Sequence, residues 1–460
     1  MEATFSRRAA LKAILALAWP TVLEQILITA VSYVDTAMVG RYSENASAIV
    51  SCTMTVNWLL NGCVSALAVG FLAYIARAVG AQQLNLVKRA AAQATLVAVS
   101  IGAFLTALVL PLARFVPVWM QAEEAIQREA GIYFFILYVP MIFRSLIIVY
   151  GTVLRAAGDT KTPMVVNAAT NIVNMVLNFL MIYSTRTVSV FGMNLVIPGM
   201  GMGVTGAATA SAISFVVGGV WMTVSIFRSR LLSPIGQSFR PDKEVLKPCF
   251  RVAVPALFQR IATSSGYVAF SGMINTLGAV STGAHGIANT AESAFYIPGY
   301  GMQAAASTLI GNAHGENNPA KMKTVSRMLL IIEVLVMFVS GAILFFGAEA
   351  MMGFFTESEE IIEVGAKVLR MVALSEPAYG IAIIIEGILH GVGDTMFTFI
   401  AGTAGMWGVR ILGTYIFVIL AGYDLVAAWA CMIAHNLVLC VLLCIRYRSG
   451  RWNPLLKKAE

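Results

Sequence analysis

Two acidic residues, Glu24 and Asp35, lie in an otherwise apolar stretch near the start of the chain. The stretch near 13–39 is long enough to cross a bilayer as a helix. An acid in hydrocarbon costs at least ~2.5 kcal/mol unless it is paired or lines a wet cavity. At roughly 100° per residue, the two carboxyls fall about 20° apart on one helical face. The pattern predicts a functional Asp35, whereas Glu24, nearer the helix end, is equally open to a structural interpretation.

A second polar stripe consists of Asn167, Asn171, Asn174 and Asn178. Their spacing places them on one face of a helix, and four amides on one stripe do not face lipid. Such amides either bridge helices or supply carbonyl oxygens to a hard cation. We expect Asn174 and Asn178 to form a cation site with the Asp35 carboxylate, and helix bridging is favoured for Asn167 and Asn171.

The composition is that of an integral membrane protein. Of the 460 residues, 58% are hydrophobic and 12% are charged, whereas soluble domains are about 25% charged. Segments long enough to span a bilayer occur near 13–39, 48–75, 90–114, 130–154, 163–184, 203–227, 249–274, 283–311, 327–350, 367–389, 397–420 and 425–445. The expected fold class is an all-α membrane protein with twelve transmembrane helices.

The basic residues are distributed unevenly between alternate connecting segments. With a cytoplasmic N-terminus, 22 of the 31 Lys and Arg residues face inward, 6 face outward and 3 lie in the membrane. This positive-inside pattern predicts a multi-pass protein of the cytoplasmic (inner) membrane with both termini in the cytoplasm. It also explains the net charge of +8 without a nucleic-acid partner.

An internal repeat relates the two halves of the chain at one constant offset. Pro20 maps to Pro255, and the same offset maps Gly158-Asp159-Thr160 to Gly393-Asp394-Thr395. Since each copy contains six spans, the copies share one orientation and are related by a pseudo-two-fold axis along the membrane normal, as in secondary transporters. The expected organisation is an N-lobe over 1–228, a cytoplasmic linker over 229–248 and a C-lobe over 249–460.

Other motifs exclude several functions. No Gly-x-x-x-x-Gly-Lys-Ser/Thr motif occurs, so an ion gradient or a partner must supply energy in place of a P-loop. Gly201-x-Gly203-x-x-Gly206 spells a dinucleotide-binding pattern, but no strand precedes it, and close helix packing is favoured. The cysteines and histidines do not cluster, so we expect neither an enzyme with catalytic residues nor a bound metal other than Na⁺ at Asp35.

Several further ionisable residues fall within the apolar segments. Glu292 is central in its segment, whereas Glu376 precedes a proline and is expected to be interfacial. Arg144, Arg260 and Arg410 are expected to pair with such acids and not to bind substrate. The residues predicted to line a substrate cavity are Glu24, Asn171 and Glu292.

The chain resembles the multidrug and toxic compound extrusion (MATE) family of secondary transporters. The resemblance extends over nearly the whole length and rests on several motifs together. They include Val34-Asp35-Thr36-Ala37-Met38-Val39-Gly40, Leu154-Arg155-Ala156-Ala157-Gly158-Asp159-Thr160 and Gly387-Ile388-Leu389-His390-Gly391-Val392-Gly393-Asp394-Thr395.

The resemblance implies two six-helix lobes around a central cavity and export of drugs, toxins or metabolites, often organic cations, in exchange for Na⁺ or H⁺. It implies a small-molecule substrate, a monomer, no ATPase subunit and no cofactor beyond the coupling ion. The family's N-lobe cation site falls here on Asp35, Asn174, Asn178 and Ser211. NorM-like members also use two C-lobe acids, where this chain has Thr263 and Tyr379, so the second cation site is expected to be lost. A specialised metabolite or lipid-linked-intermediate flippase on the same fold is the alternative.

Overall fold

The computed structural model describes residues 6–120, 122–190, 193–453 and 455. The two ends of the chain, which are assigned above to the two lobes, lie outside the described residues. They include Lys457 and Lys458, two of the basic residues predicted to face inward. The described chain is almost entirely helical, as the apolar segments predict, and the all-α membrane fold is confirmed.

The described part of the first half contains eight helices. They are α1 (Arg7–Gly40), α2 (Glu44–Gly80), α3 (Leu84–Leu112), α4 (Val116–Trp119), α5 (Glu124–Tyr138), α6 (Met141–Ala156), α7 (Lys161–Met181) and α8 (Gly203–Arg228). Positive φ at Gly158 (+90°) ends the helical path of α6, because left-handed backbone is readily adopted by glycine.

The second half repeats this pattern after the linker. Its helices are α9 (Lys243–Asn275), α10 (Ala279–Gly315), α11 (Pro319–Phe355), α12 (Glu359–Ala373), α13 (Glu376–Val392), α14 (Thr395–Thr403), α15 (Leu412–Thr414) and α16 (Leu425–Arg448). Two π-helical segments, Ala404–Ile411 and Tyr415–Leu420, flank α15. Side-chain oxygens of Asn318 and Asp424 accept backbone N–H groups at the starts of α11 and α16, which caps these helices.

Eight helical segments of the described chain are long and apolar enough to cross a membrane, and two bent pairs bring the candidate spans to ten. The pairs are α5 with α6, bent by 52°, and α12 with α13, bent by 54°. The spans predicted near 130–154 and 367–389 are therefore each built from two helices that meet at a bend. Pro140 and Pro377 lie at the two bends, where proline interrupts helical hydrogen bonding. The remaining predicted spans, 249–274 and 283–311, coincide with α9 and α10.

A β-hairpin that the sequence analysis did not predict connects α7 to α8. Strands β1 (Ser184–Val190) and β2 (Met193–Met200) pair antiparallel, with Ser184 opposite Met200 and Val190 opposite Met193. The register shifts between Ser184 and Arg186. The hairpin returns the chain to the start of α8 close to the end of α7, where Gly203 N–H donates to the carbonyl of Ile182 at 3.0 Å.

The described residues pack as two compact units. Unit A comprises those of Met1–Gln25, Val69–Leu84 and Lys247–Glu460, and unit B comprises those of Ile26–Ala68 and Asn85–Leu246. Helices α1 and α2 each contribute one part to each unit. Since this packing division differs from the lobe boundaries at 228 and 249, those boundaries stay a prediction.

The interior of unit A contains the first part of α1. Ala10, Ile14 and Ala18 are buried in one hydrophobic cluster with residues of α10, α11 and α13 and with Trp452 of the C-terminal segment. A second cluster in unit A is built around Phe270 and Trp429. The first part of α1 is thus packed on one face.

Unit A also contains a reciprocal contact between α2 and α10. A Cβ atom at Gly80 would overlap the backbone of Asn312, and one at Gly315 would overlap the backbone of Arg77. The offset that maps Pro20 to Pro255 also maps Gly80 to Gly315 and Arg77 to Asn312. Such an exchange of equivalent contacts is what a two-fold relation between the two copies produces.

Candidate intramembrane ion site

Asp35 of α1 lies beside the asparagine stripe of α7 in unit B. Asn178 Nδ2 donates to Asp35 Oδ1 at 2.9 Å. Asn174 and Asn178 are buried, whereas Asp35 and Ser211 are partly exposed. The structure thus brings together the four residues that the resemblance assigns to the cation site. Binding of a cation there stays a prediction.

The side-chain amide of Asn174 has two hydrogen-bonding orientations. In one, its Oδ1 accepts from Asn178 Nδ2 at 3.2 Å and its Nδ2 donates to Ser211 Oγ at 3.0 Å. In the other, its nitrogen donates to both Asp35 oxygens at 3.0 and 3.1 Å, and its oxygen accepts from Ser211 Oγ at 3.0 Å. An ionised Asp35 selects the second orientation, because the first places an amide oxygen against the carboxylate. A protonated Asp35 can donate to that oxygen and is compatible with the first.

The oxygen atoms at this site are of the kinds that bind a hard monovalent cation. Asn178 Oδ1 is buried and has no hydrogen-bond partner among the described residues. Asn178 Oδ1 and Ser211 Oγ are neutral oxygens, and the Asp35 carboxylate supplies the single negative charge. Carboxylate, amide and hydroxyl oxygens are the ligands that hard cations prefer. One Na⁺ or one H⁺ would neutralise the site.

Glycines position α8 against α7. A Cβ atom at Gly206 would come within 2.5 Å of the Met181 carbonyl oxygen, so the helices approach closely at this point. Ser211 follows Gly206 by little more than one turn, which brings its hydroxyl to Asn174. The expectation that no strand precedes the Gly201 to Gly206 motif is wrong, because β2 ends at Met200. The close helix packing predicted for the motif is confirmed at Gly206.

The three residues predicted to line a substrate cavity are divided between the two units, and that role stays a prediction. Asn171 is half-buried in unit B, and Glu24 (3% exposed) and Glu292 (4% exposed) belong to unit A. Glu376 is 1% exposed and its Oε2 has no partner among the described residues, and its interfacial assignment stays a prediction. A proline beside an acid at a span start does not reveal a helix bend that buries the carboxyl.

The expected pairing of intramembrane arginines with acids is wrong for Arg144, whereas Arg410 interacts electrostatically with Glu292 without a direct ion pair. No carboxylate of the described residues lies within 4 Å of the guanidinium of Arg144 or Arg410. Arg410 lies over the rings of Tyr267 and Phe270, with 4.8 and 4.3 Å from its Cζ to the ring centroids. Tyr267 and Phe270 lie on α9, whereas Arg410 lies in the π-helical segment Ala404–Ile411. Sequence spacing therefore carried no signal for these contacts.

The helices define a polytopic membrane protein, and the Asp35 carboxylate with its amide partners is its candidate intramembrane ion site. The chain belongs to the MatE family, whose model matches residues 20–180 and 255–416. The two matched segments begin at positions 20 and 255, which are the two prolines related by the internal repeat. The resemblance to the MATE family is confirmed.

Individual relatives agree over nearly the full length. The chain is 28% identical to "Probable multidrug resistance protein NorM" of Thermotoga maritima, covering 96% of this chain and 93% of the relative. It is 24% identical to "Uncharacterized transporter YisQ" of Bacillus subtilis, covering 95% and 94%. A crystal structure of MATE in the bent conformation shares the fold, with a TM-score of 0.88, 22% identity and 98% and 97% coverage.

Proposed function

We propose that this protein exports small molecules, including drugs or toxins, across the cytoplasmic membrane by antiport with Na⁺ or H⁺. The observation that carries the proposal is the single carboxylate of Asp35, held by Asn178 and Asn174 beside Ser211 in a membrane-spanning unit. The name of the Thermotoga maritima relative supports drugs as a substrate class.

The charge at this site provides the coupling. An empty site with Asp35 ionised carries one negative charge in a low-dielectric environment, where a proton, a metal cation or an organic cation each stabilises it. Because all three compete for one charge, binding of the coupling ion displaces a cationic substrate and binding of the substrate displaces the ion. Alternating exposure of the site on the two sides of the membrane then couples the ion gradient to export.

The duplicated architecture supports alternating access. Transporters built from repeats move one repeat against the other around a central binding region. The family match in both copies supports this part of the proposal. The proposal includes a monomer without an ATPase subunit, with both termini in the cytoplasm.

The test is Asp35→Asn in proteoliposomes with an imposed Na⁺ or H⁺ gradient. The amide fills the space of the carboxylate but cannot carry its charge, so gradient-driven efflux of a fluorescent organic cation should be abolished while the protein remains folded and monodisperse. Glu349→Gln is the matched control, because Glu349 is an exposed acid paired with Arg370. Full efflux by Asp35→Asn under either gradient would overturn the assignment.

A further inference from the structure

Arg144 is held by neutral groups inside unit B. Its Nη1 donates to Asn57 Oδ1 at 2.7 Å, and the same oxygen accepts from the hydroxyl of Tyr138 at 2.9 Å. Asn57 lies on α2, Tyr138 on α5 and Arg144 on α6, so the guanidinium points toward the interior of the unit. Three helices therefore fix the orientation of one cation.

The positive charge of Arg144 is not neutralised locally. No carboxylate of the described residues lies within 4 Å of it. Its Cζ lies 4.5 Å from the ring centroid of Phe215, a contact that leaves the edge of the guanidinium plane available. The side chain is partly buried by solvent accessibility. A cation without a counter-ion in a membrane-spanning segment is costly, which indicates a role in binding.

Helix α8 places this arginine near the ion site. Phe215, which lies under Arg144, follows Ser211 by four residues, and Ser211 contacts Asn174 of the Asp35 cluster. Residues four apart share one face of a helix and are separated by about 6 Å along its axis. The guanidinium and the Asp35 carboxylate are therefore on the order of 10 Å apart within unit B.

We propose that Arg144, oriented by Asn57 and Tyr138, is an anion-recognition subsite that binds the carboxylate of substrates that also carry a cationic group. Guanidinium groups bind carboxylates through paired N–H donors in one plane. The cationic end of such a molecule is attracted to Asp35, and its carboxylate to Arg144. This inference rests on the proposed function for the transport step but concerns equilibrium binding.

The test compares rhodamine B, a xanthylium cation with a carboxylate, with rhodamine B ethyl ester, which lacks the carboxylate. Binding is measured by fluorescence anisotropy on purified protein without a gradient. The wild type should bind the acid about tenfold more tightly than the ester, the effect of roughly one charge-assisted hydrogen bond. Arg144→Gln should bring the ratio to about one by weakening the acid and strengthening the ester, since the ester's cation no longer meets a positive charge.

Two further variants separate recognition from a structural role. Arg114→Gln is the matched control, because Arg114 also stacks on a phenylalanine of unit B, at 4.6 Å from the Phe115 centroid, but is exposed at the end of α3. It should leave the ratio at the wild-type value. Asn57→Asp should remove the acid preference without unfolding, because the new carboxylate pairs with Arg144 and competes with the ligand.

The outcomes decide the proposal even if Arg144→Gln does not fold, since Asn57→Asp gives an independent result. Equal affinity of the wild type for acid and ester would overturn the subsite. So would an equal loss of both ligands in Arg144→Gln, or a retained acid preference in Asn57→Asp. The proposed function is tested by a different measurement, the gradient-driven efflux of the Asp35→Asn variant. The binding ratios are measured without a gradient, so the two proposals can fail independently.

Discussion

At the scale of single residues, the cation site proposed at Asp35 should distinguish a proton from a metal cation by the number of oxygens each needs. A proton requires one acceptor, whereas Na⁺ requires several oxygen ligands around it. Asn178 contributes an N–H to Asp35 and presents its own buried Oδ1 without a partner among the described residues. Removal of this carbonyl oxygen should therefore weaken the use of Na⁺ more than the use of H⁺.

We predict that Asn178→Ala reduces Na⁺-driven efflux more than H⁺-driven efflux. The substitution deletes the amide oxygen and the donor to Asp35, but leaves a carboxyl that can still take up a proton. The measurement is initial efflux rate in proteoliposomes under separate Na⁺ and H⁺ gradients. Asn171→Ala, on the same helix face but outside the cluster, provides the comparison. An equal loss under both gradients would remove Asn178 from the set of Na⁺ ligands.

Residue spacing predicted the asparagine part of this cluster but not the arginine part. Asn174 and Asn178 belong to one helix, so their period alone places them side by side. Arg144 meets Asn57, Tyr138 and Phe215, which come from three other helices. Such contacts depend on how helices pack, and a single sequence carries no periodic signal for them. The contact with Asp35 was expected because both spans carry polar residues that do not face lipid, whereas Ser211 was assigned through the family resemblance.

At the scale of elements, the two halves share details finer than the spans themselves. The bends between α5 and α6 (52°) and between α12 and α13 (54°) are nearly equal and occur at matching places. Gln82 and Asn317, which the repeat also relates, have φ of +56° and +55°. Hydropathy located the spans because apolar length is a strong signal. Hydropathy did not resolve the bends. It also did not predict the β-hairpin, which lies in the connection between two helical spans.

We predict that Gly158→Val or Gly393→Val lowers the transport rate more than substrate affinity. Both glycines have left-handed φ, +90° and +84°, where a branched side chain costs at least about 1 kcal/mol. The two turns join helices at matching places in the two copies. Rates and dissociation constants are compared with Gly286→Val, where the backbone φ is not left-handed and a Cβ meets nothing within 4 Å. Equal losses of rate and affinity would argue against a turn role.

At the scale of the whole molecule, the repeat could be predicted because its offset recurs without gaps. The reciprocal contact of Gly80 and Gly315 and the double family match give it a physical basis. The packing units could not be predicted, because a continuous helix such as α1 gives no sign of the point at which its packing partners change. The described residues of Met1–Gln25 lie far ahead of the linker in the chain and yet pack with the second half.

Orientation in the membrane follows from charge, and cysteine labelling tests it. The inward-basic pattern requires the loops near 115–129 and 351–366 to be external, and both Glu123 and Glu359 are exposed in the structure. In a variant whose six native cysteines are replaced by alanine, Glu123→Cys and Glu359→Cys should react with an impermeant maleimide added to intact cells. Arg240→Cys, exposed in the basic linker, should react only after lysis. The reverse pattern would place both termini outside and would contradict the predicted topology, because six spans per repeat force both loops onto the same side.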